Sequence, residues 1–185
     1  MTTHHNIVAP AGKAALRITG TRVAPLLGLA LLALAGCGTD DGFVAGCPNV
    51  AVVRDAGTFV AGDAGGQLAH KATMTGFGGT CEYDETGVTV RADLAIRAQS
   101  GPAFAGGAAS YEYFVAVTDA DRNVLAKQVF ATSVNLAGGT GTVTERLVQF
   151  IPLPPTVDGR YYEVLAGFQL TPDQVEANRR MNEGR

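Results

Sequence analysis

Residues 88–98 read VTVRADLAIRA, and their alternation decides the fold class. Val88, Val90, Ala92, Leu94, Ile96 and Ala98 fall on one side of an extended chain, and Thr89, Arg91, Asp93 and Arg97 on the other. Successive side chains of a strand project to opposite faces, so this period of two marks a strand with one face buried and one wet. The pattern recurs toward the C-terminus. There Tyr162, Val164, Ala166, Phe168 and Leu170 face one way, and Glu163 and Gln169 the other.

Between and around these two, less regular strands are expected. Asn49 to Val53 follows a cysteine, and Gln67 to Gly76 and Gly79 to Asp84 flank a glycine-rich bend at Gly76-Phe77-Gly78-Gly79. Tyr111 to Thr118 is rich in aromatic and β-branched residues, and Val124 to Thr132 follows it after Asp119-Ala120-Asp121-Arg122-Asn123. Asp and Asn favour tight turns because their side chains bond nearby backbone and tolerate left-handed geometry, so Tyr111–Thr132 reads as a β-hairpin. Gly141 to Pro152 makes a further strand, ended by Pro154-Pro155. Seven or eight strands with no long helical period between them exclude βαβ units. The fold expected is all-β, an antiparallel β-sandwich of immunoglobulin-like architecture, with a small β-barrel as the alternative. The chain has no Trp, so the buried Trp of antibody-type domains is missing.

One short helix closes the chain. Thr171 can cap the free N–H groups, Pro172 suits the first helical position, and Gln174 completes a capping box. Leu170 and Val175 are spaced for a hydrophobic staple, and Arg179 and Arg180 sit near the negative end of the helix dipole. At about ten residues the helix is marginal alone and must pack on the domain.

The other end of the chain carries an address. Residues 26–35 read LLGLALLALA, and with Val23 to Pro25 the apolar stretch is too short for a spanning helix, which needs roughly 20 residues. It suits the core of a secretory signal, with Lys13, Arg17 and Arg22 before it and no acid before Asp40. The segment ahead of that core is long and opens with His4 and His5, as when a start codon is set too far upstream. The stretch ends Leu34-Ala35-Gly36-Cys37. This resembles the lipobox of bacterial lipoproteins: an aliphatic residue, two small residues, then Cys.

The resemblance implies that residues 1–36 are a signal peptide, that cleavage follows Gly36, and that the Cys37 thiol receives a diacylglycerol. Several acyl chains give stable anchoring where one gives only marginal binding. Gly38, where Asp would favour the inner membrane, implies the outer membrane, with the domain facing the periplasm. Removing Lys13, Arg17 and Arg22 from the 14 basic residues leaves 11 against 17 acidic ones, a net charge of −6. That excludes a nucleic-acid partner, which needs a Lys/Arg-rich face.

Cys37 and Gly38 to Gly46 (GTDDGFVAG) then form an anchor and a solvated tether over residues 37–46, its nine flexible residues spanning roughly 15–18 Å. Residues 47–170 are the sandwich and 171–185 the helix and tail. Export places Cys47 and Cys81 in an oxidising compartment, where paired thiols normally become a disulfide. The bridge would close a loop of about 35 residues, contributing nearly 4 kcal/mol in the chain-entropy model. Zinc would need four ligands, and beyond these two thiols the mature chain offers a single His70.

Catalytic chemistry finds little support. Nucleophilic catalysis needs a nucleophile and a base held by a third group. Ser100, Ser110 and Ser133 lie in no nucleophile elbow, and His70 reads as an exposed or strand-edge residue. Asp119, Asp121 and Asn123 resemble the opening of a calcium loop, but its sixth and twelfth positions are Val124 and Phe130 instead of Gly and Glu. Adjacent Asp84 and Glu85 would point to opposite faces of a strand. Gly106-Gly107 and Gly138-Gly139 lack the Lys-Ser/Thr of a phosphate loop. No catalytic residue, metal or cofactor is expected.

Aromatic residues remain, either as packing in the sandwich core or as contact candidates: Tyr111, Tyr113 and Phe114 on one strand, Tyr161 and Tyr162 at the start of another. Tyr161 is the best exposed candidate, because Tyr162 belongs to the apolar face. The layout as a whole resembles uncharacterised proteobacterial lipoproteins: a lipobox, a glycine-rich tether, Cys47-Pro48, a second Cys, Tyr113-Phe114-Val115, and Gly167-Phe168-Gln169-Leu170-Thr171 leading into a terminal helix. The expected function is a non-enzymatic module that contacts another envelope protein or itself. A glycan-binding or small apolar ligand-binding module is the alternative.

Overall fold

The computed structural model describes residues 45–154 and 156–184. The strands in chain order are β1 (Asn49–Val52), β2 (Thr58–Gly62), β3 (Leu68–Tyr83), β4 (Gly87–Ser100), β5 (Ala108–Thr118), β6 (Val124–Asn135), β7 (Thr140–Pro152) and β8 (Glu163–Phe168). Helix α1 (Pro172–Asn182) follows them. One sheet has the order β1-β8-β5-β6 and the other β2-β3-β4-β7. Two four-stranded sheets, with no closure into a barrel, make a β-sandwich.

The alternation in β4 is what the packing uses. Val88, Leu94 and Ile96 are fully buried, Val90 is 2% exposed, and Arg91, Asp93 and Arg97 face solvent. Opposite them the inward side chains of the other sheet are Tyr113, Val115 and Val117 of β5 and Val164, Ala166 and Phe168 of β8. Fully burying each large apolar side chain contributes about 1.5–3 kcal/mol. This layer is where the stability of the domain resides.

Three local readings change. The expected glycine-rich bend is no bend, because Gly76 to Gly79 run inside the continuous strand β3. Only a register shift between Met74 and Gly76 marks a bulge. Gly79 is there for close approach: a Cβ on it would lie 2.8 Å from the Cα of Ala92 on β4. The sandwich is not wholly antiparallel either, since β1 pairs with β8 in parallel register, Val50 opposite Val164. The whole domain separates these two strands, so no short connection dictates their sense. Finally, Tyr161 precedes β8 in a short 3-10 turn, Gly159–Tyr161, and is not its first residue.

The hairpin and the helix form as their local chemistry requires. The Asp119 carboxylate accepts from the backbone N–H groups of Asp121 and Asn123, both at 2.9 Å, and from the Asn123 amide. Those bonds to its ionised form hold its pKa below the ordinary carboxylate value. The left-handed position of this turn is taken by Arg122, at φ 64°. At the helix, Gln174 N–H donates to Thr171 Oγ1 (3.3 Å) and Thr171 N–H to Gln174 Oε1 (2.9 Å), completing the capping box.

Helix α1 covers a sheet edge. Asn178, 4% exposed, donates through Nδ2 to the carbonyls of Thr58 (2.7 Å) and Asp55 (2.9 Å). Gln174 Nε2 reaches Val60 O at 3.5 Å. Met74 N–H bonds Gly57 O across the sheet, so the backbone groups of Thr58 and Val60 point away from β3. Side-chain amides of the helix thus stand where a further strand would otherwise add.

Candidate functional site

Leu34, Ala35, Gly36 and Cys37, the lipobox positions, lie outside the described residues. The structure begins instead with the point where the preceding segment enters the domain. Cys47 and Cys81 are bonded, Cα to Cα 5.7 Å, so the residues leading into β1 of one sheet are tied to β3 of the other. Around this bond the entering backbone is gripped by side chains. Gly46 N–H donates to the Asp158 carboxylate at 2.9 Å, and Tyr83 Oη–H donates to Gly46 O at 2.6 Å. Gly159 N–H in turn donates to Tyr83 Oη at 3.0 Å. Arg160 pairs with the Asp158 carboxylate. Burial opposes ionisation of Asp158, but the N–H groups of Arg160 and Gly46 and the Arg160 guanidinium outweigh it and hold its pKa below the ordinary value. A pull on the chain before residue 45 is therefore borne by a covalent bond and a charged hydrogen-bond cluster.

The three tyrosines singled out as contacts separate. Tyr111 and Tyr113 are each 2% exposed and belong to the core; neither is open to a partner. The Tyr111 hydroxyl has a partner there: Tyr111 Oη lies 3.0 Å from His70 Nδ1. Burial, with Glu145 beside it, pushes the Tyr113 phenol up to about 12. Tyr161 is 61% exposed, as its place outside the apolar alternation implies. It borders a hollow of about 260 Å³ with Asn49, Asp119, Arg122, Arg160 and Glu163. Flat aromatic surface beside amide, carboxylate and guanidinium groups is the kind of setting that holds a sugar ring.

His70 is not the exposed strand-edge residue its neighbours in sequence suggest. It lies half-buried on the inner side of β3, stacked on Phe59 (5.8 Å between centroids, 12° between planes) and edge-on to Phe104 and Tyr111. Burial lowers its pKa. Its polar neighbour is a phenol, and among the described residues no carboxylate forms an ion pair or hydrogen bond with it. A base–hydroxyl–acid relay therefore does not assemble at this histidine. Asp84 and Glu85 occupy the β3–β4 turn, not a strand. Asp84 accepts there from Thr86 N–H (2.7 Å) and Gly87 N–H (3.0 Å), which is turn chemistry. Among the described residues no group of three His, Cys, Asp or Glu side chains is arranged to hold a metal. No helix among them is long and apolar enough to cross a membrane.

No protein-family model, curated protein or solved structure matches this chain.

Proposed function

We propose that the chain is an envelope lipoprotein, held in the outer membrane by acyl groups on Cys37, whose sandwich is a non-catalytic interaction module facing the periplasm. The observation that carries this reading is the sequence Leu34-Ala35-Gly36-Cys37 directly behind a short apolar core with basic residues before it. The oxidised Cys47–Cys81 pair supports it, because structural disulfides persist in compartments outside the cytoplasm. The grip on Gly46 supports it as well: a domain hung from a tether must resist force where the tether enters. Replacing Cys37 by Ser in the full chain, expressed in its native cells, tests the proposal. The wild-type chain is expected in the membrane fraction and the Cys37→Ser chain outside it. Equal membrane retention of both would overturn the anchor.

The exposed Tyr161 and the polar hollow beside it favour a second reading, a glycan-binding module. Tyr161→Ala should abolish retention on immobilised peptidoglycan fragments if that reading holds, and unchanged retention would remove it.

A further inference from the structure

The two sides of the sandwich are finished differently. On one, the backbone groups of β2 meet the amides of Asn178 and Gln174, and the Cys47–Cys81 bond joins the sheets. On the other, β6 and β7 end their sheets side by side, joined by the short turn after Asn135.

The register shows which groups β6 leaves open. Leu136 N–H bonds Gly107 O, and Tyr113 stands opposite Phe130 in the same unbroken register. The even-numbered residues of β6 from Ala126 to Val134 therefore direct their backbone groups to β5. Those of Lys127, Val129, Ala131 and Ser133 point outward, and none is bonded by a described residue. The side chains around them are also bare: Val124 is 62% exposed, Leu125 54% and Val129 51%. The single charge of the strand, Lys127, does not guard the edge, since its Nζ lies 4.6 Å over the ring of Phe114 on the sheet face. On β7, by the same argument from Ser100 N–H to Gly139 O, the even-numbered residues point outward. Val148 and Phe150 among them are 52% and 51% exposed. Long apolar strand edges of this kind are templates for added strands.

We propose that β6 pairs with β6 of a second copy of this chain, antiparallel about a two-fold axis. A single extended peptide would cover one of the two open edges. A second copy presents the same two edges at the same sheet separation, so one isologous contact brings β6 to β6 and β7 alongside β7. The sequence tolerates the self-pairing. With the axis at Gln128, Lys127 stands opposite Val129, Ala126 opposite Phe130, and Gln128 opposite itself. Only an axis at Lys127 sets like charges against each other, and that register is disfavoured. The inference rests on the fold and is independent of the lipid anchor.

The test is made on the full chain in living native cells, with Gln128 replaced by a benzophenone-bearing amino acid. Irradiation should give a product of twice the chain mass containing this chain alone. The same group at Glu112, on the strand inside the sheet, should give none. Val129→Pro removes an N–H that points away from β5, so the fold keeps its ladder while the edge loses a donor. It should lower the yield of the product about tenfold or more. Product containing only a different protein, no product at Gln128, or yield unchanged by Val129→Pro would each overturn the proposal.

Discussion

Asn178 is the position at which the docking of the terminal helix can be weakened most sharply. It is the one buried residue of α1, and its Nδ2 group donates to two backbone carbonyls, at 2.7 and 2.9 Å. Asn178→Leu leaves Thr58 O and Asp55 O without their donor, and because Leu is the better helix former any loss of stability is not one of helix propensity. Each lost bond costs about 1 kcal/mol, and stranding the carbonyls in a half-covered site brings the sum to about 2–3 kcal/mol. For a domain of this size that lowers the melting temperature by about 5–10 °C. A helix of eleven residues is marginal once undocked, so its amides should also lose hydrogen-exchange protection ahead of the strands. Arg179, which pairs with Asp55 at 3.4 Å across solvent, is the comparison. Arg179→Ala should change little, because exposed pairs are weak and screened. Urea unfolding followed by circular dichroism, with exchange read by mass spectrometry, measures both variants. If Asn178→Leu unfolds with the wild type, or if Arg179→Ala is the more damaging, the helix is held by something other than its amides.

Two further outcomes follow from the same contacts. Replacing Cys47 and Cys81 together by Ser should cost about 4 kcal/mol, as expected for releasing a loop with a sequence separation of 34. A urea midpoint equal to that of the oxidised wild type would contradict it. His70 should make stability pH-dependent: burial lowers its folded pKa beneath the ordinary 6.5, so the unfolded chain takes up its proton first. Its contribution is whole above that value and lost as pH falls through the folded pKa. His70→Gln should flatten the fall in melting temperature that sets in as pH drops below about 6.5, before the carboxylates titrate. An identical slope in the variant would refute this.

What could be read from the chain alone followed the reach of the forces involved. The β4 alternation, the hairpin at Asp119 and the Thr171–Gln174 capping box are settled within a few residues, and each stands as expected. β2 was missed because Thr58 to Gly62 is short and held by β3 and by helix amides more than a hundred residues away. The glycines of β3 read as a bend because their true cause, the closeness of Ala92, lies on another strand. Tyr111 and Tyr113 stayed open between core and contact because alternation gives two faces and does not say which one the opposite sheet will cover. His70 was misjudged for the same reason, its neighbours Phe59, Phe104 and Tyr111 being assembled only by the fold. The open edge at β6 is a property of topology. Its one local sign is a twelve-residue strand with a single charge.

The claim on which the account of place and purpose rests is the chemistry of Cys37. Intact-mass and fragment measurement of the protein from its native cells tests it directly. The account predicts a chain that begins at Cys37, carries acyl mass on that residue, and holds Cys47 and Cys81 as a disulfide. A chain that retains residues 1–36, or one whose Cys37 bears no lipid, would contradict it.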